Sequence, residues 1–304
     1  MPIIIGNFGE SNWLANLYMG ECMKNIVITG VSTGIGYAAA LRLTNAGHRV
    51  FGSVRNEVDA KRVKSELGEN YCPLIFDVTD ADAIKEASDC VSKVVGDNGI
   101  DVLINNSGIA LGGPILELPV DVFRKQFEVN VFGIVSVTQA FSKLLGAYKG
   151  ANHNGKIIMI SSVAGKRSYP FVGPYSASKH AVEGMSDALR RELMLYNIDV
   201  ILVEPGPVKT EIWKKTPNPE NNIFLKSDFE PALRKFNGLI KMFEKKGLDA
   251  DVIANRIEKI INSNSPKTRY VLSPNKWRDY ILPGILPDRW LDKAMSKMLG
   301  LKKR

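Results

Sequence analysis

The chain is poor in the residues that build disulfides and metal centres. Its 304 residues include only three cysteines and three histidines. Cys22, Cys72 and Cys90 are odd in number and lack ligand spacing, and the histidines are scattered. Neither a disulfide framework nor a metal site is expected, and a reduced, cytoplasmic setting is. No apolar run reaches the ~18 residues that a membrane span needs, so no transmembrane helix is expected. A secretory signal is equally missing. The first 22 residues have no basic start and carry Glu10 and Glu21,. Met23-Lys24 stands directly before the first strand-like run, so residues 1–22 read as an extension without an assigned role. The formal charge is +8, yet no basic run interleaves with aromatics to make a base-stacking surface,. Nucleic acid is therefore not an expected partner, and a solvated surface serving one anionic ligand accounts for the excess.

What the chain does have is alternation. Short β-branched runs at 24–29, 49–54, 73–76, 101–104, 156–160, 198–203 and 269–272 read as strands,. Segments of helical period fill the gaps at 34–46, 57–67, 81–95, 120–145, 175–196 and 249–261,. The pattern predicts an α/β fold, a seven-stranded parallel sheet doubly wound with helices on both faces. In such sheets ligands gather at the carboxyl ends of the strands where strand order reverses. One domain over 23–275 is expected. The Pro- and Asn-rich stretch 214–229 looks like an insertion, part of a substrate lid over about 210–246,. A basic amphipathic tail covers 276–304.

The strand tips carry the chemistry. The first strand runs through Gly30, Val31, Ser32, Thr33, Gly34, Ile35 and Gly36 straight into a helix. Free amides and the positive helix end suit a pyrophosphate there. The second strand ends at Arg55 with no carboxylate to accept from an adenosine ribose. A cation at that place, with Ser53 nearby, suits a 2′-phosphate and favours NADP(H) over NAD(H). Asp77-Val78 ends the third strand, where the carboxylate can accept from an adenine amino group. Asn105-Asn106-Ser107-Gly108 ends the fourth and offers small side chains beside a cofactor.

Tyr175 and Lys179 are four residues apart on a helical segment and share one face,. A neighbouring ammonium favours the phenolate and would bring the phenol toward working pH.

Together these motifs resemble the short-chain dehydrogenase/reductase family in its single-domain, Rossmann-type form. The likeness spans 24–272 and includes Thr-Gly-x-x-x-Gly-x-Gly, Asp77, Asn-Asn-x-Gly with Ser107 where Ala is usual, Asn130, Ser162, Tyr-x-x-x-Lys and Pro205-Gly206-Pro207-Val208-Lys209-Thr210. The resemblance implies Tyr175 as the acid/base and Lys179 as the group that lowers its pKa and binds the nicotinamide ribose. It implies Ser162, thirteen residues before Tyr175, as the donor to the substrate oxygen. Asn130 corresponds to the asparagine that holds a water against the lysine. Pro205, Gly206 and Val208 would wrap the nicotinamide carboxamide, with Thr210 near the diphosphate. Glu204 reads as structural.

Specificity should reside beyond Ser162 and Thr210. Lys166, Arg167, Tyr169, Phe171 and Val172 line the approach, and Ile212, Trp213, Ile223, Phe224, Leu225, Phe229, Phe236, Leu239 and Met242 offer an apolar cover. A small-molecule alcohol or ketone with a bulky hydrophobic body is expected, and the context is loosely similar to retinol and hydroxysteroid dehydrogenases. Two alternatives stand beside it: a 3-oxoacyl thioester reductase, and an inactive nucleotide-sensing scaffold on the same fold. In the tail, Trp290, Leu291, Ala294, Met295, Met298 and Leu299 share a helical face. That stripe fits a core or subunit contact, consistent with a homo-oligomer, or peripheral contact with a membrane.

Overall fold

A computed structural model describes residues 23–212, 224 and 226–301. The extension 1–22 lies outside them, as do Trp213, Ile223 and Leu225 of the expected lid and residues 302–304 of the tail. Seven strands form one sheet: β1 (Asn25–Ile28), β2 (Arg49–Val54), β3 (Tyr71–Ile75), β4 (Val102–Asn105), β5 (Lys156–Ile160), β6 (Asp199–Pro205) and β7 (Arg269–Leu272). Their order is β3-β2-β1-β4-β5-β6-β7, and every pairing is parallel. The doubly wound architecture expected from the alternation is present. Order reverses between β1 and β4, which places a crevice above their carboxyl ends.

The period-two alternation within each strand sends side chains to two separate cores. Ile26 and Ile28 face α1 (Gly34–Asn45), α2 (Glu57–Leu67) and α8 (Ala250–Ile261), meeting Leu43, Val63 and Ile257. Val27 and Leu103 face the other side, against α3 (Ala81–Val95), α5 (Gly133–Phe141) and α6 (Gly173–Glu192),. Pro73 sits inside β3, two residues beyond that strand's start. Its missing N–H is tolerated because β3 is an edge strand with β2 on one side only,.

The single helix expected over 120–145 is instead broken. α4 (Val120–Phe127) passes into a π-helical turn at Glu128–Phe132 before α5 begins. At its centre Asn130 accepts from the Ile109 amide at 2.9 Å and donates to the Ile109 carbonyl at 3.0 Å. A side chain bonded to a neighbouring loop fixes the widened turn, which periodicity alone cannot reveal.

A third apolar cluster lies above the strand tips. α7 (Glu230–Lys246) brings Ala232, Leu233, Phe236 and Ile240 over Phe171, Val172 and Tyr175. The chain ends with a short helix α9 (Leu282–Ile285) and α10 (Asp288–Leu299), which packs on α7. The expected tail stripe divides. Leu299 is buried in the third cluster, whereas Trp290 remains 64% exposed. No described helix is long and apolar enough to cross a membrane.

Candidate active site

A cleft of about 510 Å³ runs along the carboxyl ends of the strands. From the expected cofactor set it is lined by Gly30, Ser32, Thr33, Gly34, Ile35, Arg55, Asp77, Val78, Ser107, Gly108, Pro205, Gly206, Val208 and Thr210. Ser162, Tyr175 and Lys179 line it too. Residues spread across most of the chain are thus brought to one trough.

The glycine turn is tight for steric reasons. Gly30 has φ +72, and a Cβ there would stand 2.7 Å from Ser107 Oγ,. Gly36 does not line the cleft. A Cβ on it would fall 2.2 Å from the Gly30 carbonyl oxygen and 2.4 Å from Asn106 Nδ2, so its place is the packing of α1 against the turn. Ser53 accepts from the Gly30 amide at 2.9 Å, which makes it a support for the turn.

A further expected cofactor contact is corrected by geometry. Asn105 is the last residue of a wholly buried strand, and its side chain donates to Thr138 Oγ1 at 3.0 Å, beneath the cleft. The asparagine at the surface of the trough is Asn106, whose Nδ2 donates to the carbonyls of Thr29 at 2.8 Å and Gly30 at 3.0 Å. Strand alternation was the signal that separates them: one side chain of the pair must turn inward. Asn130, expected to hold a water against the lysine, stands behind the lining, its side chain bonded to Ile109 and to Ser178 Oγ at 3.1 Å.

Ser162 caps a short turn after β5, accepting from the Ala164 amide at 3.1 Å, and it hydrogen-bonds the Tyr175 hydroxyl. α6 then carries Tyr175 and Lys179 on its buried face. Lys179 Nζ donates to the Ile160 carbonyl at 2.7 Å and lies 5.9 Å from the centre of the Tyr175 ring. Burial pushes the Lys179 ammonium down to about 8, against the opposing charge of Glu183. The expectation that Lys179 acidifies Tyr175 is corrected. Burial of the phenol raises it above its ordinary value, and the Ser162 hydrogen bond offsets only part of that,.

Arg55 is exposed at the rim, free to meet a phosphate, and no carboxylate replaces it at the tip of β2. The open amides of the glycine turn, the cation at the rim and the clearance enforced at Gly30 fit a dinucleotide with an added phosphate.

A doubly wound parallel sheet with Ser, Tyr and Lys converging beside a glycine turn defines the class of nicotinamide-dependent dehydrogenases. The chain belongs to the short chain dehydrogenase family, whose model matches residues 24–221, and it is an NAD(P)-dependent oxidoreductase. It is 43% identical over 277 residues to the NADPH-dependent 3-dehydrocapnine reductase of Ornithobacterium rhinotracheale, covering 91% of this chain and 98% of that protein. It is 33% identical to dehydrogenase/reductase SDR family member 9 of Bos taurus, covering 90% and 89% of the two. Among solved structures, a short-chain dehydrogenase from Streptomyces avermitilis superposes with a TM-score of 0.72 at 25% identity, over 94% of this chain and all of that one.

Proposed function

We propose that the protein is an NADP(H)-dependent carbonyl reductase for a bulky hydrophobic substrate, running as a dehydrogenase on the corresponding alcohol in reverse. The observation that carries this is the position of Tyr175, hydrogen-bonded to Ser162 at the cleft and roofed by the apolar cluster of α7. A phenol at this place can give a proton to a carbonyl oxygen bound in the cleft, as reduction requires,. Bound nicotinamide would supply the hydride. Ser162 holds and polarises the carbonyl oxygen, Tyr175 gives that oxygen its proton, and Lys179 keeps a positive charge beside both. Asn130, bonded to Ser178 one residue before Lys179, braces the helix behind them.

Arg55 supports NADP(H), in line with the NADPH dependence in the name of the 43% identical relative. That name also specifies reduction of a 3-dehydro compound, and we favour a 3-oxo group on a lipid-like chain. The same 3-oxo chemistry keeps a thioester reductase as the nearest alternative, distinguished by a requirement for a carrier. Retinoids and hydroxysteroids belong in the same assay. A purified sample should oxidise NADPH with long-chain 3-oxo compounds and hardly at all with short polar ketones. Equal rates with NADH, or activity confined to small ketones, would defeat the proposal.

A hydrophobic substrate gives the outward half of the tail a use. Trp277, Ile285 and Trp290 are 65, 69 and 64% exposed and stand among Lys276, Arg278, Arg289 and Lys293. We read this as peripheral contact with an anionic bilayer by an otherwise cytoplasmic protein, whose Cys72 and Cys90 are free thiols,. Co-sedimentation with phosphatidylglycerol vesicles should be lost on changing both tryptophans to Ser; retention would dismiss it. A homo-oligomer is the reading for the exposed Val120 and Phe132 near α4, and light scattering at micromolar concentration decides it,.

A further inference from the structure

Behind the cleft, on the side of the sheet edge, lies a group of buried charges that the reaction itself does not use. Glu204 is the β6 residue before Pro205-Gly206 and is 0% exposed. Glu183 is on α6, one turn after Lys179, and is also buried. Both carboxyls approach the same nitrogen of Arg269 on β7, Glu183 at 3.1 Å and Glu204 at 3.3 Å. Arg269 is divided further, because its Nη2 lies 2.9 Å from Asp187, which also pairs with Arg190 at 3.3 Å. Lys166, from the loop after Ser162, adds a contact of 3.0 Å to Glu183. From the C-terminal segment the Tyr280 hydroxyl faces Glu204.

The two glutamates are therefore unequal. One oxygen of Glu183 holds two cationic donors at good distances, which fixes that group as the anion. Glu204 has one longer ion-pair contact, to a guanidinium already committed elsewhere, with the neutral Tyr280 hydroxyl beside it and no exposure to water. Neither of its oxygens makes a well-formed hydrogen bond among the described residues, and Oε1 of Glu183 is also without one. Two buried carboxyls that share one guanidinium are stable when the less well paired of them takes a proton and leaves the other as the anion. Burial and then the charge of Glu183 raise Glu204 to about 7, against the Tyr280 hydroxyl, Lys166 and Arg269, which pull it down.

The asymmetry matters to Lys179. No carboxylate forms an ion pair with it among the described residues, and the negative charge acting on it is that of Glu183. We propose that Glu183 and Glu204 share one proton at neutral pH, carried by Glu204, and that the charge thus kept on Glu183 holds Lys179 as the ammonium. Glu183 and Glu204 are positioning residues: they touch neither substrate nor cofactor and act through Lys179. The inference rests on the reductase reading for its consequence, but the proton and the charge belong to the protein alone.

The full chain, without cofactor, labelled at glutamate Cδ and lysine Cε, tests it by NMR titration from pH 5 to 10. Lys179→Arg and E204Q assign the two signals. One glutamate signal should titrate near neutrality and vanish in E204Q. The Lys179 midpoint should fall by about one pH unit in E183Q and stay near the wild-type value in E204Q, whose amide mimics the protonated acid. A Glu204 signal titrating in the ordinary carboxylate range, or a Lys179 midpoint unmoved in E183Q, overturns the proposal. A lower melting temperature alone does not support it, since any buried polar change gives that. If E183Q does not fold, the wild-type and E204Q titrations still decide. A protein with these midpoints that reduces no ketone upholds this inference and removes the functional reading instead.

Discussion

Lys179 is tied by its ammonium to the backbone carbonyl of Ile160, at 2.7 Å, on the strand that leads directly into Ser162. Helix and strand are thereby held together at the cleft, at the cost of burying a charge. Burial lowers Lys179 to about 8 from an unfolded value of 10.5. Below pH 8 the ammonium is present in both folded and unfolded chains, and its burial penalty acts in full. Between pH 8 and 10.5 the folded chain binds fewer protons, so this group's contribution to stability rises with pH across that window,. Lys179→Met should accordingly melt a few degrees above wild type at pH 7, with the difference shrinking as pH climbs past 8. Differential scanning calorimetry at pH 7 and 9.5 measures it, and a lower Tm at pH 7 contradicts the assignment.

Tyr175→Phe removes only a hydroxyl from a residue whose ring is packed in the third apolar cluster. The fold and NADPH affinity should persist while turnover falls about 10²- to 10⁴-fold, the range for loss of a general acid. Turnover near wild type, with intact near-ultraviolet dichroism, would displace Tyr175 from the mechanism.

Gly36→Ala tests the glycine turn. The new methyl would meet backbone, the Gly30 carbonyl oxygen at 2.2 Å, and the Asn106 side-chain Nδ2 at 2.4 Å, which is held by hydrogen bonds to the Thr29 and Gly30 carbonyls. Overpacking of this kind costs about 1–3 kcal/mol, and here the displaced atoms are those that shape the dinucleotide cradle. Stability in urea and NADPH affinity should fall together. A variant that binds NADPH normally would show that the turn has slack that the distances deny.

How much of this was visible in the sequence depends on whether a residue's task is local. The seven strands follow from β-branched runs, and the meeting of Gly30, Ser162, Tyr175 and Lys179 follows from their all standing at carboxyl ends of parallel strands or the helix just after one. The inward turn of Asn105 and outward turn of Asn106 depend on where β4 ends, a one-residue question that flips a side chain to the other face,. The π-turn at Asn130 depends on a loop bond to Ile109, twenty-one residues away. The Glu183–Arg269–Glu204 group draws on α6, β6 and β7, and only the sheet order brings those together. The upward shift of Tyr175 is not legible in the sequence, because the spacing shows the neighbouring ammonium but not the burial that raises the phenol.

Arg55→Ala should raise the dissociation constant for NADPH about tenfold or more and leave that for NADH within about twofold. A charged hydrogen bond to phosphate is worth about 1.5–3 kcal/mol, and NADH has no phosphate at that place. Fluorescence titration of the reduced cofactors reads both. Equal weakening of the two would make Arg55 a support for the turn, and no change would make it a solvated arginine.

Phe171 links the strained backbone of the cleft to its roof. Its φ is +67, a region that a bulky side chain rarely occupies,. Its carbonyl accepts from the Gly113 amide at 2.8 Å, and its ring stands edge-on to Phe229 at 6.0 Å and Phe236 at 5.7 Å. The backbone bond and the two ring contacts hold the unusual conformation, and they join the approach loop to α7. Phe171→Ala deletes both ring contacts and leaves a cavity beside Tyr175, which should cost about 3–5 kcal/mol if α7 stays in place and less if it collapses inward. Phe171→Gly relieves the backbone strain as well, so it should be the more stable of the two variants despite the smaller residue. For long-chain substrates both should raise KM more than they lower kcat, because they loosen the roof and leave Ser162, Tyr175 and Lys179 untouched. A fall in kcat alone would instead place Phe171 in the positioning of Tyr175, four residues along the chain.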